Sequence, residues 1–81
     1  MSNVNKIFKA FPRMTEREVS CALAIADGLS NSEIAARLGI AEKTVKNVNM
    51  AVSLKMDVEP GGSSRVRVAR KVWHVSHGIP E

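Results

Sequence analysis

Apolar residues recur at helical intervals along most of the chain. Val4, Ile7, Phe8 and Phe11 follow i, i+3, i+4, i+7 and predict one short amphipathic helix closed by Pro12. Alone it is too short to hold, so it needs a surface to lie on. Over 16–27 two apolar stripes run side by side, one of Cys21, Ala22, Ile25 and Leu29, the other of Val19, Leu23 and Ala26. A helix that is apolar on both sides is covered on both sides. One stripe is expected to meet the helices that follow, the other the N-terminal phenylalanines or a second subunit. Thr15 and Glu18 stand at capping-box spacing to open this helix, and Gly28 closes it. Ser30 and Glu33 repeat the device for a helix over 31–38, stopped by Gly39. The next helix spans 42–56 and buries Val45, Val48 and Val52. Pro60, Gly61 and Gly62 make 57–64 a loop. A last helix over 64–76 has a serine cap and stops at Gly78 and Pro80. Its apolar residues fall on two adjacent sides: Val68, Val72 and Val75, then Val66, Ala69 and Trp73. No strand alternation persists, so the expected fold class is all-α.

The helix over 42–56 has a second face. Lys43, Lys46, Asn47 and Met50 are spaced i, i+3, i+4, i+7, with no acid among them. Two cations, an amide and a flexible apolar chain suit the major groove of a duplex. Lysine meets phosphate or guanine, asparagine meets adenine, and an apolar group meets the thymine methyl.

Charge changes this picture more by its placement than by its size. The chain of 81 residues carries a formal net charge of +4. Residues 1–42 are balanced, with Lys6, Lys9, Arg13, Arg17 and Arg37 against Glu16, Glu18, Asp27, Glu33 and Glu42. The whole surplus lies from Lys43 onward, as expected of a half that faces a polyanion, although a solvated basic surface would read the same. Phe8, Phe11 and Trp73 are the only aromatic residues, which gives little support for stacking on single-stranded bases. Cys21 is the only cysteine, so neither an internal disulfide nor a cysteine-based zinc site can be built, and a small buried core residue is expected there. No apolar run reaches the roughly 20 residues that span a bilayer, and the first residues are no secretory signal. A soluble, cytoplasmic chain with no membrane partner is expected.

These motifs together resemble the LuxR/GerE-type helix-turn-helix domain of bacterial transcription regulators. The likeness runs through MTEREV (14–19), IADGLSNSEIAARLGI (25–40) and KTVKN (43–47), and resumes weakly at SRVRVA (64–69). Glu18, Gly28, Glu33, Ile34, Ala35, Leu38, Thr44, Val45 and Lys46 carry it in register. The resemblance implies a four-helix LuxR/GerE-like helix-turn-helix domain, here with a possible short extra N-terminal helix and no receiver or ligand-binding domain. It implies base contacts from Lys46, Asn47 and Met50, and phosphate contacts from Asn31, Ser32, Lys43, Thr44 and Arg65. It also implies a homodimer on an inverted repeat through the last helix, where Val68, Val72, Trp73 and Val75 are the interface candidates. Glu18 is expected to bind inside the fold. The chain departs from the family pattern at Ala41, where a capping serine or threonine is usual, at Val48 and Met56, and at 60–63, which read as an insertion.

The expected organisation is an N-terminal amphipathic segment over 1–13, the helix-turn-helix domain over 14–78 and a tail over 79–81. The expected function is sequence-specific recognition of double-stranded DNA in transcription regulation. The alternative is a protein-interaction module that pairs with a full-length regulator of the same family, or with RNA polymerase. Its motives are the phenylalanines, the doubly apolar helix and the missing signal domain. Trp73 has two readings as well, as core or as the anchor of a subunit interface. His74 and His77 stand three apart without a further ligand cluster and read as a solvent-exposed pair. No nucleophile–base constellation, phosphate loop, metal site or cofactor motif is apparent, which argues against an enzyme.

Overall fold

The structure, a computed structural model, describes residues 3–59 and 64–78. These residues form five helices in chain order: α1 (Asn3–Ala10), α2 (Glu16–Ala26), α3 (Asn31–Leu38), α4 (Glu42–Lys55) and α5 (Ser64–Ser76). Among the described residues there is no strand. The predicted loop beyond Glu59, the serine cap of the last helix and the stop at Pro80 lie outside them.

Local chemistry explains the helix starts. In α2 the Thr15 hydroxyl accepts from the Glu18 amide while the Glu18 carboxylate accepts from the Thr15 amide. In α3, Ser30 and Glu33 make the same reciprocal pair. The hydrogen bonds from Ser30 hold the Glu33 carboxyl below its ordinary range. Helix α4 lacks this device: Ala41 has extended backbone at the N-cap and no side-chain bond to offer. Ala41→Ser is therefore expected to stabilise the fold by about 1 kcal/mol, since a hydroxyl there accepts one of the orphan amides of the first turn. A thermal midpoint raised by roughly 4–8 °C in circular dichroism would show it.

The helix ends follow one rule. In α2 the Leu29 amide reaches back to the Ala24 carbonyl and Gly28 to Ile25, with Gly28 at positive φ. Helix α4 closes in the same way, Val58 to Ser53 and Asp57 to Leu54, but with Asp57 in the left-handed position. This closure draws Asp27 and Met56 out of the regular helix, so α2 and α4 each end one residue earlier than the apolar pattern predicts.

Helix α2 is the hub: it packs against α3 and α4 on one side and against α1 and α5 on the other. Its Val19, Cys21, Ala22, Ala24 and Ile25 are buried, joined by Ile34 from α3, Val45 and Val52 from α4, and Val68 and Val72 from α5. The N-terminal segment takes the place left open for it. Ile7 is fully buried, Phe8 and Phe11 are half-buried on the core, and Lys6 Nζ donates to the Ser76 carbonyl at the end of α5, at 2.7 Å.

Candidate nucleic-acid interface

The turn between α3 and α4 is short and closed by Gly39 at a positive φ of 67°. It sets α4 across α3 and α2 with Val45 and Val52 fully buried beneath it. The opposite face is then fixed by helical geometry. Lys43, Lys46, Asn47 and Met50 are all exposed, Met50 to 60 %. They occupy one strip of about 10 Å along the helix, given a rise of 1.5 Å per residue. Ser32, in the first turn of α3, is exposed, and Thr44 is half-buried at the start of α4. A family model described as bacterial regulatory proteins, luxR family (GerE), matches residues 12–72. The chain belongs to the luxR family. No curated protein and no solved structure matches it.

The luxR family is one of DNA-binding transcription regulators and not of enzymes. Among the described residues, no helix is long and apolar enough to cross a membrane. Glu18 binds inside the fold, its carboxylate buried where α2 meets the end of α4. It accepts from Lys55 Nζ at 2.8 Å and from the Thr15 amide at 2.7 Å. Burial opposes its ionisation, but the bonds from Lys55 and Thr15 outweigh it and hold the carboxyl below its ordinary value of 4.5.

The structure joins some expected site residues to one another or to the core. Asn31 and Arg65, expected on phosphate, are half-buried and hydrogen-bonded together. Arg65 Nη1 donates to Asn31 Oδ1 at 2.7 Å, and Arg65 Nη2 donates to the Leu29 carbonyl. Asn31 Oδ1 also accepts from Asn49 Nδ2 at 3.0 Å, which fills both of its lone pairs. Val68 and Val72, expected at a subunit interface, are only 1 % and 3 % exposed and pack into the chain's own core. The second apolar stripe of α2 is covered only in part, since Val19 is buried, Leu23 is half-buried and Ala26 is exposed.

Trp73 resolves outward. It is 51 % exposed and is stacked by His77, with ring centroids 4.2 Å apart. His77 is exposed and lies with Nδ1 2.8 Å from the Trp73 carbonyl oxygen, while His74 is half-buried and meets the indole edge-on. Trp73 and the exposed Val66 border an open hollow of about 610 Å³ between α2 and α5, which Leu23 and Ala69 also line. Val75 is half-buried.

Two further residues of α4 bear on the site. Leu54 is 65 % exposed, one turn beyond Met50, and continues the outward strip. Its spacing from Lys43 and Asn47, eleven and seven residues, was available as a signal. Asn49 is half-buried on the inner side and accepts from the Cys21 thiol. Cys21 is fully buried as expected, and burial pushes its thiol up to about 11 against a small opposing pull from Arg65. A thiol raised in this way by burial is a poor nucleophile.

Proposed function

We propose that this luxR-family chain is a dimeric, sequence-specific regulator that reads the major groove of double-stranded DNA with α4. The observation that carries this reading is the exposed strip of Lys43, Lys46, Asn47 and Met50 on a helix anchored by its other face. In it, Lys46, Asn47 and Met50 meet base edges, and Lys43, Thr44 and Ser32 fix the register on phosphate. The basic excess of residues 43–81 adds a sequence-independent attraction to the polyanion.

One copy offers a single short helix to the duplex, and two linked copies raise the effective concentration of the second contact. The dimer forms through the part of α5 that its own core leaves uncovered, with Trp73 as the anchor and Val66 beside it. Against the partner-module alternative stands the packing of the N-terminal segment, with Ile7 buried and Phe8 and Phe11 half-buried against the chain's own core.

Selection of bound duplexes from a random pool tests the proposal. The expected result is an enriched inverted repeat, with binding that weakens steeply as salt rises. A pool without enrichment, or affinity indifferent to salt, would overturn it.

A further inference from the structure

A line of part-buried polar contacts crosses the four helices, and base reading does not use it. The Cys21 thiol on α2 donates to Asn49 Oδ1 on α4, and Asn49 Nδ2 donates to Asn31 Oδ1 on α3. Arg65 on α5 donates to the same Asn31 oxygen and, with its other terminal nitrogen, to the Leu29 carbonyl just before α3. Helices α2 to α5 each contribute a side chain to this line. Asn49 is an amide at a half-buried position whose neighbours on the inner side of α4 are the valines 45, 48 and 52.

Such a network contributes little net stability, because each bond replaces one the same groups would make with water. What it supplies is direction. Apolar contacts between valines are non-directional, whereas a hydrogen bond weakens steeply once its angle opens. The tips of side chains on α4 stand about 5–6 Å from the helix axis. A rotation of 20° would therefore carry Lys46 and Asn47 by about 2 Å, enough to lose a paired contact with a base edge. Asn49 lies between Asn47 and Met50 in sequence, so whatever holds its amide holds the rotation of the strip.

We infer that Asn49 and Arg65 are positioning residues for base readout: through Asn31 they set the rotation of α4 against α3 and α5, and they touch no DNA themselves. The inference rests on the proposed reading of α4. It also accounts for a basic residue, Arg65, that is half-buried at the start of α5 and directed inward.

The test measures affinity for a duplex selected by the wild-type chain and for a random duplex of equal length, each over a salt series, with the thermal midpoint as a check on folding. Asn49→Val removes the amide and keeps an inner-face side chain. It is expected to leave the midpoint unchanged or higher, to leave the random duplex and the salt dependence unchanged, and to lower the preference for the selected duplex about tenfold. Arg65→Lys keeps the charge but loses the two-pronged donor, and it is expected to lower the preference by a similar factor with the salt dependence again unchanged. The double variant is expected to be no worse than either single one by more than about twofold, since both break one line.

An intact preference in both variants would overturn the inference. So would an Arg65→Met variant that weakens both duplexes alike and flattens the salt dependence, which would make Arg65 a phosphate contact. Should Asn49→Val fail to fold, Arg65→Lys carries the same test. A wild-type chain with no preference for any duplex would sink the reading of α4 itself, before any variant is measured.

Discussion

Ile34→Ala is expected to destabilise the fold by about 2–5 kcal/mol, the range for removing a buried isoleucine side chain down to its Cβ. Ile34 is fully buried and belongs to the same core cluster as Val19, Ile25, Val45 and Val52. It is one of only two buried residues on the eight-residue α3, the other being Ala35, and only the half-buried Leu38 offers a second large apolar contact from that helix. A chain of this length is expected to have a total stability of about 4–12 kcal/mol, at 0.05–0.15 kcal/mol per residue. The substitution therefore removes a large share of it. The thermal midpoint is expected to fall by at least about 8 °C in circular dichroism, at roughly 4–8 °C per kcal/mol. Met50→Ala is the matched control. It shortens a side chain that is 60 % exposed, so a change within about 0.5 kcal/mol is expected. If the two variants melted together, the inward and outward faces of the α3–α4 unit would be wrongly assigned.

The helix starts and the outward strip were legible in the sequence because the interactions that set them are local. A capping box needs only residues three apart, and both boxes form with each half in place. The exposed strip on α4 follows from the period of the helix once the valines are turned inward. The roles of α5 were not legible in this way. Its two apolar sides are equivalent in pattern, and only the position of α2 decides that Val68 and Val72 go inward while Val66 and Trp73 stay out. The pairing of Arg65 with Asn31 was hidden for a related reason. They lie 34 residues apart, and a basic residue at a helix start reads as a solvent or phosphate contact until its partner is seen across the fold. Asn49 gave no warning either, since a lone asparagine in a helix is normally taken for surface. Its partners, Cys21 and Asn31, come from two other helices, at separations of 28 and 18 residues. Pattern reading thus recovers what the helix period and the caps determine, and it misses what the packing of helices on one another determines.

The paired substitution Lys46→Ala and Asn47→Ala is expected to produce the largest loss of specific binding. Both side chains stand exposed at adjacent positions of the outward strip, and neither contributes to the core. Each base-edge pairing of this kind discriminates by about 1–3 kcal/mol. Together they should lower the preference for a selected duplex by about 30-fold to several thousand-fold, with some overlap because the positions are neighbours. Random duplex should respond differently. Only the ammonium of Lys46 is lost there, so binding weakens modestly and the slope of log affinity against log salt becomes shallower by about 0.9. The thermal midpoint should be nearly unmoved, since surface changes to alanine within a helix stay within about 0.5 kcal/mol. This combination of an intact fold, a nearly intact non-specific affinity and a lost preference is the signature of direct readout, because damage to phosphate contacts weakens every duplex alike. A double variant that held the selected duplex as tightly as the wild-type chain would remove α4 from the reading role, and a loss equal on both duplexes would reduce its face to an electrostatic one.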